Sequence, residues 1–86
     1  MTLQLKISKN AAKDISKLDN LVKKRIQQAI TEKLMNDPIG NSKKLQDFEI
    51  SGVRRLRVGD YRVIFLVDKG FIEVLRVGHR REIYKG

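Results

Sequence analysis

Arginines are concentrated in the second half of the chain, where their spacing places several of them side by side. Seven of the eight arginines follow Gly52, whereas nine of the eleven lysines precede Leu45. A guanidinium is planar, permanently charged and able to bind two phosphate oxygens at once, while an ammonium is a flexible, strongly hydrated point charge. The second half therefore has the residues of a phosphate-binding surface, and the lysine-rich first half has those of a soluble scaffold.

Three of these arginines are expected to meet on one face of a sheet. Side chains alternate along a strand, so Arg55 and Arg57 share a face and stand about 7 Å apart, two strand rises. A turn at residues 59–60 brings Arg62 back beside them. Like charges across neighbouring strands destabilise a sheet, and a bound anion would remove that cost. The alternative is that these arginines are solvated surface charges or ion-pair partners of nearby carboxylates.

Few side chains in this sequence can move a proton. Arginine is a poor proton acceptor, because a guanidinium has a pKa above about 12. His79 is the only histidine, the residue type that titrates near neutrality; the alternative is a strand-end residue bonded to the backbone. Tyr84 can stack on a base, orient a hydroxyl or act as a base in a cationic setting. With no cysteine and no clustered carboxylates, no metal and no cofactor is expected.

The overall charge favours a polyanionic partner. The net charge of +9 and the pI near 10.2 suit nucleic acid, the ribosome, an anionic membrane or an acidic protein. The alternative is a basic surface that only keeps the protein soluble. The 86 residues predict a single domain, 1–86. No apolar run approaches the ~20 residues of a membrane span and no signal peptide is evident, so no membrane partner and a cytoplasmic location are expected.

The first half of the chain has the pattern of one strand and two helices. Residues 3–7 alternate between apolar and polar and predict a strand with one buried side. Ser8 is a suitable N-cap for a helix. Apolar residues then recur at three- and four-residue steps, with a break at residues 19–20 and a second helix over about 21–35. Helices joined this tightly should form an antiparallel hairpin.

In the second half the period changes to two. Strands are predicted over residues 44–48, 53–58, 61–67 and 71–77, with hairpin turns at the glycines between the last three and Gly78 ending the last. The face of Arg76 is not set by this pattern, and we interpret it as structural. The predicted class is α+β: an N-terminal strand and an antiparallel two-helix hairpin packed on one face of a twisted, mainly antiparallel sheet of about four to five strands. The opposite face is left for function.

Two C-terminal segments resemble the most recognisable stretches of a known family. LRVGDYRV at residues 56–63 resembles the "LR-x-G-x-YR" hairpin of RelE-type toxins, and VGHRREIY at 77–84 resembles their "VGHR-x-x-IY" ending. The opening strand and the Ala-rich helix start at residues 10–14 are also similar, so the likeness covers essentially the whole chain. The sequence is identified as a member of the RelE/ParE toxin superfamily and resembles its RelE-type mRNA interferases.

The resemblance implies the toxin of a type II toxin–antitoxin system. Such a toxin is an endoribonuclease that enters the ribosomal A site, cuts mRNA there and so inhibits translation. It uses no metal: the mRNA 2′-OH attacks the adjacent phosphate and expels the 5′-oxygen. The implied partners are the ribosome with its A-site mRNA and a cognate antitoxin, expected to be small, acidic and partly disordered.

The resemblance also implies roles for individual residues. The expected catalytic residues are Arg55, Arg62, Arg80, Tyr84 and His79, with the arginines stabilising the phosphorane, Tyr84 stacking or assisting, and His79 in proton transfer. Further basic residues are expected to bind RNA: Arg54, Arg57, Arg81 and Lys85. We also consider Arg54 and Arg81 as rim charges or antitoxin contacts.

The sequence departs from the family pattern in two places, and other functions stay open. Strongly active relatives often carry lysines on the second strand, where this chain has Val53-Arg54-Arg55. Position 79 is basic in some relatives and histidine in others. The alternatives are a ParE-like inhibitor of DNA gyrase, which shares the fold without the arginine–tyrosine set, a nonenzymatic RNA- or ribosome-binding module, and a weakly active toxin.

Overall fold

The computed structural model describes residues 4–40, 42–44 and 52–79. Within these ranges the strands are β1 (Gln4–Ile7), β2 (Lys43–Lys44), β3 (Val53–Val58), β4 (Tyr61–Asp68) and β5 (Phe71–His79). The helices are α1 (Lys9–Ser16) and α2 (Asn20–Ala29), and α2 continues into a π-helical turn (Ile30–Leu34). The strands make one sheet in the order β1-β5-β4-β3-β2. The predicted α+β class is confirmed.

The sheet is mainly antiparallel, as predicted. The pairs β2–β3, β3–β4 and β4–β5 are antiparallel, and β1 pairs with β5 in parallel. Both hairpin turns fall at the predicted glycines. Gly59 and Gly70 have φ angles of 60° and 78° there. Glycine enters this left-handed region without the steric cost that a Cβ brings. The hairpin at Gly59 is the one that returns Arg62 towards β3.

The helices cover one face of the sheet, and the core lies between the two layers. Its buried residues are Ala11, Ile26, Ala29, Ile30 and Leu34 from the helical segments and Leu56, Val63, Phe65, Ile72, Val74 and Val77 from the sheet. The strand registers put the sheet residues on one face, since Leu56 lies opposite Val63 and Phe65 lies opposite Val74. The prediction of helices packed on one face is therefore confirmed. The described helices include none that is long and apolar enough to cross a membrane.

Both helices begin where the sequence predicts. The Oγ of Ser8 accepts a hydrogen bond from the backbone N–H of Ala11 at 3.1 Å and caps α1. The Oδ1 of Asp19 accepts one from the N–H of Val22 at 2.9 Å and caps α2. Each cap supplies an acceptor for a backbone N–H that the first turn of a helix leaves unsatisfied. The break predicted at residues 19–20 thus coincides with the N-cap of α2.

The predicted buried side of the first strand is wrong for the residues that the structure describes. Leu5 and Ile7 are each 41% exposed. They lie opposite Ile72 and Val74 on the helix-facing side, but β1 is an edge strand. Its side chains lie at the rim of the layer that the helices cover, and this explains their exposure. Residue 3, the first of the predicted strand, lies outside the described residues.

Two predicted strand ends also differ from the structure. The last strand does not end before Gly78, because Gly78 and His79 pair with Arg62 and Tyr61 of β4. Gly78 stays within the strand because the residues on both sides of it, Val77 and His79, also pair with β4. The short strand predicted over residues 44–48 begins one residue earlier, at Lys43, and its positions 45–48 lie outside the described residues.

A β-bulge in β5 lies where the strand meets α1. The register passes from Phe65 opposite Val74 to Ile64 opposite Arg76, which leaves Leu75 as an extra residue. Because of this extra residue, Val74 and Val77 both face the core although they are three positions apart. The Oγ of Ser8 donates a hydrogen bond to the carbonyl oxygen of Leu75 at 2.9 Å, so the start of α1 is attached at the bulge.

Asp14 of α1 joins the same part of β5. Its Oδ2 accepts hydrogen bonds from the backbone N–H of Val77 and from the Nε of Arg76, each at 2.9 Å. The carboxylate therefore satisfies a strand-edge N–H beyond Val74, the last residue of β5 that pairs with β1. The structural interpretation of Arg76 is confirmed by this ion pair.

Replacement of the Asp14 carboxylate by a neutral amide is expected to destabilise the fold by about 1–2 kcal/mol, because the hydrogen bonds from Val77 and Arg76 are stronger to a charged acceptor than to a neutral one. Partial burial by itself raises the pKa of Asp14, but hydrogen bonds from Arg76 and Val77 and the charges of Arg76 and Lys17 bring it below its ordinary value of 3.8. A folded-state pKa below the unfolded one means that this stabilisation is complete above about pH 4 and is lost as the pH falls further.

Urea unfolding of Asp14→Asn and the wild type across the acid range measures this contribution. The variant should be less stable at neutral pH, and the gap should close as the pH falls below 3.8. Glu32→Gln removes an exposed carboxyl of the π-helical turn and serves as the control. Parallel pH curves for Asp14→Asn and the wild type would contradict the assignment.

Candidate nucleic-acid interface

A basic groove runs along β3 at the side of the sheet that β2 borders. Its volume is about 390 Å³, and it is lined by Lys33, Gly40, Ser42, Lys43, Arg55, Leu56, Arg57 and Arg62. Five of these eight residues carry a positive charge, and none of those described is acidic. A concave site with charges of one sign concentrates ions of the opposite sign, so this groove is suited to a polyanion.

The strand registers bring the basic residues together on the face away from the helices. Arg57 lies directly opposite Arg62, and Lys43 lies directly opposite Arg55. Leu56, between the two arginines of β3, is 2% exposed and points into the core, so its neighbours point the other way. The predicted meeting of Arg55, Arg57 and Arg62 is confirmed as geometry.

The two arginines of the central pair, Arg57 and Arg62, differ in burial. Arg57 is exposed, whereas Arg62 is half-buried and its Nε atom is shielded from solvent. Burial at the Nε end leaves fewer orientations for the guanidinium than a solvated arginine has. Arg62 therefore has the more fixed charge of the two, and a fixed donor stabilises a developing charge without reorganising first.

Arg54 points to the opposite side of the strand and holds the loop that walls the groove. Its Nε donates a hydrogen bond to the Oγ of Ser42 at 2.7 Å, and its Nη2 donates to the carbonyl oxygens of Ser42 and Ile39 at 3.0 and 3.2 Å. The hydroxyl of Ser42 in turn donates to the carbonyl of Pro38. The guanidinium is thus occupied by backbone and side-chain acceptors of residues 38–42.

His79 lies on the other side of the sheet from the three arginines of the groove. It pairs with Tyr61, and the two rings meet edge to face with centroids 5.5 Å apart at 80°. Tyr61 packs against the helix-side core, while Arg62 and Gly78 form the adjacent pair on the groove side. The structure therefore does not bring His79 together with the arginines. The remaining predicted site residues, Arg80, Arg81, Tyr84 and Lys85, lie outside the described residues.

Two basic residues of the groove were not predicted from the sequence. Lys33 and Lys43 line it, although the lysine-rich half was interpreted as a scaffold. Lys43 stood one residue before the predicted strand 44–48, so a small shift of that boundary would have placed it opposite Arg55. Lys33 had no sequence signal, because its position depends on how the end of α2 packs against β3.

The face opposite the helices is only partly available for function. Val53 and Ile64 lie on that face near its centre and are 1% and 2% exposed. The groove therefore occupies only the part of this face where the basic pairs lie. The prediction that the opposite face is left for function holds for this part and not for the whole face. In residues 4–40, 42–44 and 52–79, no group of three or more His, Asp or Glu side chains is placed to hold a metal ion.

The fold of the protein is similar to those of solved toxin–antitoxin complexes. Its structure is similar to the crystal structure of the toxin–antitoxin complex RelBE2 from Mycobacterium tuberculosis, with a TM-score of 0.82, 24% identity and coverage of 93% of this chain and 100% of that chain. It is also similar to the RelB–RelE antitoxin–toxin complex from Methanococcus jannaschii, with a TM-score of 0.73, 30% identity and coverage of 92% and 94%.

Sequence comparison gives the family. The model of the family described as ParE toxin of type II toxin–antitoxin system, parDE, matches residues 5–84. The chain therefore belongs to the ParE toxin family, and the superfamily predicted from its motifs is confirmed. It is also 27% identical over 81 residues to Toxin RelE of Mycobacterium tuberculosis, which covers 92% of this chain and 82% of that protein. Both branch names thus occur among its relatives.

Proposed function

We propose that this toxin is a metal-independent endoribonuclease that cuts mRNA in the ribosomal A site and so inhibits translation. The observation that carries the proposal is the groove in which Arg55, Arg57 and Arg62 converge with no acidic residue among its described lining. The similarity to RelE-named toxins supports it. Inhibition of ribosomes requires that the toxin acts in the cytoplasm.

The reaction proposed is an attack of the mRNA 2′-oxygen on the adjacent phosphorus. The P–O5′ bond breaks, a 2′,3′-cyclic phosphate forms, the 2′-OH loses a proton and the 5′-oxygen gains one. Negative charge grows on the phosphorane oxygens, and Arg55 and Arg62 are placed to donate hydrogen bonds to them, each worth about 3–4 kcal/mol if well aimed. Arg80 is proposed as a third donor.

The proton carriers must come from residues other than these arginines, because a guanidinium keeps its proton. Tyr84 is proposed to stack on a base or to assist the 2′-OH, as the family resemblance implies. A weak acid–base set gives low activity on free RNA, and the ribosome then supplies much of the rate by fixing the substrate geometry. Arg57, Arg81 and Lys85 are proposed to bind the RNA, and Arg54 to position the groove wall.

The proposed partner besides the ribosome is a small, acidic antitoxin. Similar toxins occur in complexes with RelB antitoxins, and a net charge of +9 attracts an acidic chain. A partly disordered antitoxin would order on binding.

A cleavage assay tests the proposed function. Purified toxin is mixed with ribosomes that carry a defined mRNA and an empty A site, or with the same mRNA alone, and primer extension maps the ends. Cuts within the A-site codon that need ribosomes support the proposal. Absence of cuts with ribosomes overturns it.

The second candidate is inhibition of DNA gyrase. The family model that matches residues 5–84 is that of the ParE toxin, and β3 lacks the lysines that strongly active relatives of the RelE branch often carry. A supercoiling assay with purified gyrase separates the two functions. Inhibition of supercoiling together with no ribosomal cleavage would select this candidate.

The position of His79 predicts a small kinetic effect of its removal. Because the imidazole lies against Tyr61 on the far side of the sheet from Arg62, His79→Phe should keep the ring contact and change kcat by less than about tenfold. The pH–rate profile should keep its shape between about pH 5 and 8. If a limb of the profile disappears in the variant, the proton-transfer role predicted for His79 is supported instead.

A further inference from the structure

We propose that Lys33 and Lys43 form a second phosphate-binding subsite in the groove, for the backbone phosphate next to the one that is cleaved. The inference rests on the proposed function for the identity of the ligand, single-stranded RNA. Binding can nevertheless be measured without cleavage, so the two proposals can fail separately.

The positive charges are spread across the groove from β4 to β2. Arg62 lies on the β4 side of β3, and Lys43 lies opposite Arg55 on the β2 side. Directly opposite residues of an antiparallel ladder have Cα atoms about 5 Å apart. An RNA strand whose cleaved phosphate is held by Arg55 and Arg62 therefore meets Lys43 next, and proteins hold single strands in positively charged grooves that follow the backbone.

Lys33 belongs to an element whose ends are buried in the core. This element is the π-helical turn (Ile30–Leu34), and its two end residues are 3% and 0% exposed. Lys33 itself is exposed and lines the groove. Single π-turns inside helices are often found at functional sites. With Lys43, it adds two ammonium groups to the three guanidinium groups of the lining.

A network of hydrogen bonds fixes the loop before Lys43. Arg54 binds Ser42 and Ile39, and the N–H of Gly40 donates to the Oδ1 of Asp37 at 3.0 Å. A loop held at both ends keeps Lys43 at its place opposite Arg55, so less entropy is lost when a phosphate binds. Arg54 is accordingly a positioning residue, and it acts on the ligand through Lys43.

Salt-dependent binding of a 2′-O-methyl RNA oligonucleotide, which lacks the attacking hydroxyl, tests the subsite. Each phosphate contact with a single strand adds about 0.7 to the slope of log K against log salt. Because the two lysines share one phosphate, we expect the double variant Lys33→Ala/Lys43→Ala to reduce that slope by about 0.7 and each single variant to reduce it by part of that amount. Lys69→Ala is the matched control, because Lys69 is exposed in the β4–β5 turn and its removal changes the net charge equally.

If the slope of log K against log salt is unchanged in the groove variants, the inference is overturned. It is also overturned if Lys69→Ala reduces the slope as much as the groove variants do, because that would show a general effect of charge. Thermal unfolding of each variant checks that the fold is kept. With ribosomes, Lys43→Ala should raise KM and leave kcat unchanged. If the slopes change but the wild type does not cleave mRNA, the subsite is supported and the nuclease function is rejected. If the wild type cleaves mRNA but the slopes are unchanged, the nuclease function is supported and the subsite is rejected.

Discussion

Arg62→Ala is expected to lower kcat for A-site cleavage by about 10²–10³-fold, a loss of roughly 3–4 kcal/mol of transition-state stabilisation. The size follows from the surroundings of this side chain. Arg62 is half-buried with a shielded Nε and lies directly opposite Arg57, so its charge is held at one place in the groove. An interaction made mainly in the transition state lowers kcat and kcat/KM together and leaves KM nearly unchanged.

Single-turnover cleavage of ribosome-bound mRNA measures this effect without the contribution of product release. Arg25→Ala is the matched control, because Arg25 is an exposed arginine of α2 outside the groove. Arg62→Lys keeps the charge and loses the two-pronged geometry, so its rate should fall between those of Arg62→Ala and the wild type. Cleavage by Arg62→Ala at the wild-type rate, with the fold intact, would remove the arginine from the mechanism.

The arginine groove could be predicted because its geometry is local. Arg55 and Arg57 are two positions apart on one strand, and Gly59 makes the tight turn that returns Arg62 beside them. Period-two alternation and a turn glycine are properties of a short stretch of chain. Nothing beyond residues 53–62 was needed to place these three side chains on one face.

The lysines of the groove could not be predicted in this way. Lys43 reaches it through a strand pair with Arg55, twelve residues further along the chain, and Lys33 reaches it through the packing of a π-helical turn. Both positions follow from contacts between elements of the fold. The composition of the first half indicated a soluble scaffold there, and not a binding surface. The same holds for Arg54, whose orientation is decided by a loop that it binds.

The bulge in β5 explains why the alternating pattern of the sequence does not set the face of Arg76. Simple alternation from Val74 would turn Val77 away from the core, yet Val77 is 3% exposed within it. The extra residue, Leu75, restores the buried position, and it is held by contacts from α1: Ser8 binds the carbonyl of Leu75, and Asp14 binds the N–H of Val77. These contacts join residues more than sixty positions apart, so no local pattern indicates them.

Insertion of one alanine after Leu75 is therefore expected to destabilise the protein by at least about 3–5 kcal/mol. With one more residue at the bulge the following positions change faces, because a one-residue shift turns each side chain to the other side of the sheet. Val77 would leave the core, and Arg76 would point into it, away from Asp14. A loss of this size is a large part of the roughly 5–15 kcal/mol that stabilise a typical domain.

Chemical unfolding followed by circular dichroism measures the loss, and Leu75→Ala separates register from side-chain packing. That variant shortens a half-buried side chain but keeps the residue count, so it should cost only about 1 kcal/mol. An insertion variant as stable as Leu75→Ala would show that β5 can enlarge its bulge at no cost. In that case the contacts of Ser8 and Asp14 with the bulge would not set the faces of Arg76 and Val77.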